Sequence, residues 1–313
     1  MWISGTWMDF QHQNSHDGIY WNDQARAFTC AQWRTHVREM SQLDIDTIVL
    51  MSTSLDNKTF YPSKFMDRRW ELNCSDPVEA VLSEADDLNI KMFVSAGFYG
   101  HTTEETSDDA DYLEWHKRLT DELWSQYGRH RSFYGWYIPN EAEINGHFSE
   151  GIMNFVPRLS LHLRQLHPGL KILIAPYGTR NVIADSEYVD QLHNLNVDFI
   201  AYQDEVGVRK THVEELPEIY GRLNHVHSQA GVTLWADMEI FDFEGDVYAS
   251  GLIPTSLSRI EKQLAALSPY VEKILCYQMH GLMNPPGSQA LCGHPESVDF
   301  FRGYNSMLHR AIF

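Results

Sequence analysis

The chain has 313 residues, 43% of them hydrophobic, which is enough to bury a full core and too apolar for a disordered polymer. Its 24 Lys and Arg against 43 Asp and Glu leave a formal charge of −19 with no basic run, so nucleic acid and anionic membranes are excluded as expected partners. No apolar stretch approaches the ~20 residues that span a bilayer. The first residues carry no basic leader or small-residue cleavage site, so the expected location is cytoplasmic.

Apolar runs of strand length fall at 5–10, 46–52, 91–96, 133–139, 171–175, 198–202, 232–241 and 273–278. Between them lie stripes with helical spacing. The first are Trp33, Val37, Met40; Val78, Val81, Leu82, Ala85, Leu88; and Tyr112, Trp115, Leu119, Leu123. Three more follow: Ile152, Phe155, Leu159, Leu163, Leu166; Leu216, Ile219, Leu223, Val226; and Leu257, Ile260, Leu264, Leu267. The fifth helix, expected within 184–195, has the shortest stripe and polar flanks. Ser75-Asp76-Pro77 and Ile253-Pro254-Thr255 read as helix starts, with Pro at or near the first turn. Strand–helix alternation without hairpin turns implies parallel strands joined by crossover helices, and eight units imply an α/β fold: one domain over 1–313, a single (β/α)8 TIM barrel. No G-x-G-x-x-G or G-x-x-x-x-G-K-[ST] run supports nucleotide binding, and no G-x-S-x-G supports a serine nucleophile.

Cys30, Cys74, Cys276 and Cys292 show no metal-type spacing and are expected to be reduced, mostly buried thiols. His12 and His16 lie four apart in a loop without an intervening Glu, and His225 and His227 lie on different faces of a helix, so no metal or other cofactor is expected.

In such a barrel the working residues sit at the carboxyl ends of the strands. Strand seven is the most informative, because side chains alternate faces. Leu234, Ala236, Met238 and Ile240 form an apolar set for the outer helices, while Trp235, Asp237, Glu239 and Phe241 should point into the barrel. Burying unpaired carboxylates costs several kcal/mol, roughly, and is tolerated where function needs it. Strand four adds Glu141 after Pro139-Asn140, and Glu143 follows in the same acidic loop. A structural alternative for Glu239 is an ion pair with Arg259 or Arg180, and Asp237 fits an orienting role better than a catalytic one.

Two carboxylates at barrel strand ends among aromatic rings suit cleavage of a glycosidic bond: one protonates the leaving oxygen while an ionised partner attacks or activates water. Rings stack on sugar faces and polar groups meet the hydroxyls. Trp7, Trp136, Tyr177, Tyr202, Trp235 and Tyr277, with Asp9, Asn140, Gln203, Asp204, Asp237 and His280, are the expected substrate-binding residues of an oligosaccharide or glycoside site. His101 is a further strand-end candidate, and the segment 53–73, with Tyr61, Phe65, Arg68, Arg69 and Trp70, is long enough to wall a subsite.

Asn140-Glu141 and the strand-seven Glu239 resemble the clan of retaining glycoside hydrolases with catalytic glutamates on strands four and seven. That resemblance implies Glu141 as acid/base, Glu239 as nucleophile, Asn140 on the sugar 2-hydroxyl and retention of configuration. Asp9, Asp204, Glu205 and Asp237 are carboxylates beyond that pattern. The runs 133–139, 46–51 and 200–204 also resemble a bacterial family of glycosidase-like barrels known as a domain of unknown function. Rival readings are a non-catalytic carbohydrate-binding barrel and a metal-dependent barrel hydrolase. The acidity of the chain favours neutral sugars over uronates or sulfated glycans.

Overall fold

The computed structural model describes residues 1–99, 110–139, 141 and 143–310. In chain order the elements are β1 (Ile3–Met8), α1 (Asn22–Arg26), α2 (Cys30–Ser41), β2 (Thr47–Leu50), the short pair β3 (Ser54–Leu55) and β4 (Lys58–Thr59), α3 (Pro77–Leu88), β5 (Lys91–Ser95), α4 (Ala110–Tyr127) and β6 (Phe133–Tyr137). There follow α5 (Glu150–Leu166), β7 (Lys171–Ile174), α6 (Ser186–Asn194), β8 (Phe199–Gln203), α7 (Leu216–Ala230), β9 (Thr233–Glu239), the pair β10 (Phe241–Phe243) and β11 (Leu252–Pro254), α8 (Leu257–Leu267), β12 (Lys273–Tyr277) and α9 (Ser297–Arg310).

The strands β1, β2, β5, β6, β7, β8, β9 and β12 close into one parallel barrel, with β12 pairing back onto β1, so the eight expected strands form the (β/α)8 fold. Local chemistry sets several helix starts. Asp76 accepts from the Glu79 N–H at 3.0 Å with Pro77 next in line, and Ser149, Asp185 and Ser256 cap α5, α6 and α8 in the same way. α6 lies within the segment of the weakest stripe because it buries only Tyr188 and Leu192. Pro254, in contrast, ends β11 and does not begin a helix; α8 starts three residues later behind its Ser256 cap.

Inside the barrel, Phe93, Phe199 and Trp235 form the lower plug, Phe199 stacking on Trp235 at 4.2 Å. Gly135 faces this plug: a Cβ there would come within 2.7 Å of the Phe93 ring and 2.4 Å of the Lys171 carbonyl, so only glycine fits. Above the plug, Trp7 meets Tyr137 edge-on at 4.7 Å. The run 232–241, expected as one strand, divides after Glu239: β10 pairs antiparallel with β11, and this hairpin stands over the mouth.

The expectation of four free thiols needs correction. Cys30 and Cys74 form a disulfide that ties the first turn of α2 to the segment before α3, while Cys276 and Cys292 are free and buried. Sequence spacing carries no signal for the pair, because the 44-residue separation is closed only by the packing of α2 against α3. Among the described residues no helix is long and apolar enough to cross a membrane.

Closing a loop of this length stabilises the fold by about 2–4 kcal/mol through the unfolded chain. Thermal unfolding followed by circular dichroism, with and without reductant, should therefore show a lower Tm by several degrees after reduction, with the barrel spectrum retained at low temperature. Identical transitions in both samples would mean that the bond contributes nothing.

Candidate functional site

The carboxyl ends of the strands enclose a cavity of about 230 Å³, which both Glu141 and Glu239 line. That is room for several waters, at ~30 Å³ each, and for little more than a single sugar ring. Asp17, Tyr177, Gln203, Glu205, Asp237, Phe241 and Tyr277 share the wall, together with His12, Gln13, Phe243, Tyr248 and Leu252.

Glu239 ends β9, and its position is fixed through its backbone. Its carbonyl accepts from Arg259 Nη2 at 2.9 Å and Gln263 Nε2 at 3.1 Å, and its N–H donates to Asp204 Oδ1 at 3.2 Å. The ion-pair alternative does not describe the side chain, because the Arg259 guanidinium meets the Asp242 carboxylate instead. Glu239 Oε2 accepts from the Val208 N–H at 2.9 Å. Gly207 permits this approach, since a Cβ there would lie 3.0 Å from that same oxygen. Burial pushes the Glu239 carboxyl well above the usual carboxylate range, and the charges of Asp204, Asp237 and Glu205 push it further.

Glu141 follows β6. Tyr137 donates its hydroxyl toward Glu141 Oε1 at 3.5 Å, and burial raises the Glu141 carboxyl from 4.5 to about 7. Asp237 lies one inward position below Glu239, beside the Trp7 indole; burial raises it well above its usual value, opposed by Trp7 and reinforced by Asp204 and Glu141. Glu205 holds a left-handed backbone at φ 56°, which turns its side chain into the cavity directly after Asp204. Its Oε2 accepts from the Thr179 N–H at 2.9 Å, and Lys210 Nζ lies 3.9 Å from Oε1.

The sequence-derived substrate residues divide by where their side chains point. Tyr177, Gln203, Asp237 and Tyr277 line the cavity with the two glutamates. Trp7 and Asp9 are buried and absent from its wall. Asp9 accepts from Gln278 Nε2 at 3.1 Å, and burial lifts it from 3.8 to about 7. Trp235 faces inward as its parity requires, but three residues into β9 it belongs to the plug. Trp136 and Tyr202 have the opposite parity to the inward positions Tyr137 and Gln203 and face away from the cavity. Trp136 packs on Phe133, and the Tyr202 hydroxyl bonds Tyr188 at 2.8 Å and His227 at 2.9 Å. Asp204 is also corrected to a structural place: its two oxygens bind the Val206 and Glu239 N–H groups and Gln263 Nε2. His280 is buried against His36 and stacks on Trp33. Asn140 and His101 lie outside the described residues. No residue of the 53–73 segment lines the cavity; Glu122 accepts from Tyr61 and Ser63, and Phe60 stacks on Trp70. The sequence reading missed Asp17, Tyr248 and Phe243. The latter two come from the unforeseen hairpin and its turn, and Asp17 stands in a loop without periodicity.

Among the described residues the one set with metal-ligand proximity is His36, His280 and Cys292. His36 Nε2 lies 2.8 Å from His280 Nδ1, which lies 3.8 Å from the Cys292 sulfur. Burial lowers both imidazoles, keeping them in the neutral form a metal requires, but all three groups are sealed from solvent and none lines the cavity.

Residues 3–290 match the model of the family described as "Domain of unknown function (DUF4434)", and the chain belongs to that family. No curated protein matches the chain. Among solved structures, a Bacteroides thetaiotaomicron VPI-5482 protein provisionally named an alpha-L-fucosidase is similar at TM-score 0.76 and 20% identity, over 99% of this chain and 94% of that one. A beta-galactosidase from the psychrophilic Marinomonas ef1 gives 0.62 and 10%, with all of this chain covering 60% of the enzyme. The endo-beta-1,4-mannanase of Thermotoga petrophila gives 0.55 and 9%, over 99% of this chain and 77% of the other. At these identities the shared property is the glycosidase-like TIM-barrel fold.

Two consequences can be measured. Tyr202→Phe removes a hydroxyl that joins Tyr188 and His227, and should destabilise by about 1–3 kcal/mol in denaturant unfolding; a variant as stable as the natural chain would mean that this buried network contributes nothing. Folded Asp9 keeps its proton up to about pH 7, whereas the unfolded chain releases it near 3.8, so ionising Asp9 costs stability progressively as pH rises across that window. Asp9→Asn lacks this cost. Its Tm relative to the natural chain should climb between about pH 4 and 7, and a flat difference across that range would refute the assignment.

Proposed function

We propose that the chain is a glycoside hydrolase that cleaves or transfers a glycosidic bond by retaining double displacement, with Glu141 as acid/base and Glu239 as nucleophile. The observation that carries this reading is that glutamates from the ends of the fourth and seventh barrel strands line one cavity. A carboxyl raised to about 7 still holds its proton near neutrality, which suits Glu141 to protonating the leaving oxygen. Glu239 meets its Val208 donor on one oxygen, so the carboxylate is anchored by backbone for attack on the anomeric carbon. The aromatic wall of Tyr177, Phe241 and Tyr277 supplies faces for a sugar ring.

One observation favours the second reading, a carbohydrate-binding barrel without turnover. Glu239 is pushed upward by burial and by three neighbouring carboxylates, and a protonated Glu239 is no nucleophile. For the hydrolase reading, substrate or solvent entering the cavity must restore its ionised form. The Cys30–Cys74 bond favours an oxidising compartment over the expected cytoplasmic one.

The test is a panel of aryl glycosides and oligosaccharides, with product anomers followed by NMR. Retention of configuration is expected, and kcat/KM should fall as pH rises through about 7 as Glu141 loses its proton. Glu141→Gln and Glu239→Gln should each lower turnover by at least about 10²-fold while sugar binding persists. Inversion would remove Glu239 from the nucleophile role, and binding without turnover across the panel would leave the carbohydrate-binding barrel.

A further inference from the structure

The cavity wall carries Asp17, Glu205 and Asp237 besides the two glutamates assigned to the chemistry, and among the described residues that line it none is Lys or Arg. Lys210 stands beside Glu205 with its ammonium 4.4 Å over the Tyr177 ring, so a positive nitrogen already rests against this carboxylate and aromatic face from outside the wall. Asp17 and Asp237 are 5% and 2% exposed, and each has a buried Oδ1 without a hydrogen-bond partner. They come from different elements, Asp17 from the loop after β1 and Asp237 from β9. Buried acceptors of this kind cost free energy until a donor meets them.

Sugar hydroxyls can donate to such oxygens, but they bring no charge to offset a wall of carboxylates. An ammonium brings three donors and a positive charge, and aromatic rings such as those lining this cavity attract a cation over their faces. We propose, resting on the glycosidase reading above, that the sugar bound in this cavity carries a free protonated amino group: a hexosamine unit of a deacetylated glycan, in preference to its N-acetylated or neutral counterpart. This replaces the expectation of a neutral substrate drawn from overall charge. An N-acetyl group has no positive charge and a single N–H donor, and it enlarges the unit that a cavity of about 230 Å³ must hold. The same carboxylate wall disfavours uronates. A bound ammonium would also favour the ionised form of the carboxylates around it, including Glu239.

Isothermal titration of the full chain with glucosamine, galactosamine and mannosamine, each beside its neutral parent and its N-acetyl form, tests this directly. At least one amino sugar should bind about tenfold or more tightly than both counterparts, the scale of one charge-assisted hydrogen bond. Asp17→Asn, which keeps shape and removes charge, should abolish most of that preference; the wild-type comparison stands alone if the variant does not fold. Equal or tighter binding of the neutral or N-acetyl sugar overturns the inference, as does failure of every amino sugar to bind. The two readings fail separately. Turnover of neutral aryl glycosides without amine preference would remove the amino-sugar specificity and keep the hydrolase, while amine-selective binding without cleavage of any aryl aminoglycoside would do the reverse.

Discussion

Crowding several carboxylates into one barrel mouth is the constraint on which the rest of this structure turns. Left to themselves these groups would repel one another and draw water into the barrel. Most of the donors that hold them are main-chain N–H groups and amides, not cations. Asp204 collects two backbone N–H groups and the Gln263 amide, and Glu239 takes the Val208 N–H. Glu205 takes the Thr179 N–H, and Asp9 takes the Gln278 amide. A cation would fix each carboxylate as an anion and spend its charge inside the protein. Neutral donors fix its position and leave its charge open to whatever enters the cavity.

Arg259 illustrates how the remaining charge is kept out. Its guanidinium reaches the carbonyls of Glu239 and Phe241 and the Asp242 carboxylate, so it pins the point at which the chain leaves the barrel without neutralising the Glu239 side chain. The hairpin of β10 and β11 begins at that point and contributes Phe241, Phe243 and Leu252 to the cavity wall. One largely buried arginine therefore serves strand seven, the hairpin and the cavity together, and the Gln263 amide ties Asp204 into the same junction.

Much of the architecture was legible in the sequence because parallel barrels write two strong periods into the chain, apolar strand runs and helical stripes. Parity on strand seven also located Asp237 and Glu239 correctly. The same parity, applied strictly to strands four and six, separates Tyr137 and Gln203 from Trp136 and Tyr202; placing Trp136 and Tyr202 at the site beside Gln203 treated strand-end position as sufficient when face also decides. Depth is the second missing coordinate. Trp235 and Glu239 share a face but lie four residues apart, which is the distance from plug to mouth. The hairpin, the Cys30–Cys74 bond and Asp17 depend on contacts between distant segments, and no local period reports those.

The loop after β8 joins these threads. Asp204 points back into the protein to hold the backbone of β9, and the left-handed turn at Glu205 sends the next carboxylate into the cavity. Two residues on, Gly207 brings the backbone close enough for Val208 to donate to Glu239. Within five residues the chain supplies an anchor for strand seven, an acidic wall and the donor on Glu239. A side chain at Gly207 would displace that donor while leaving Asp204 in place, and a neutral residue at 205 would change the charge of the wall and leave the donor. Position and charge at this mouth are thus set by separate residues of one loop, so the charge of the wall can change without rebuilding the strand that carries Glu239.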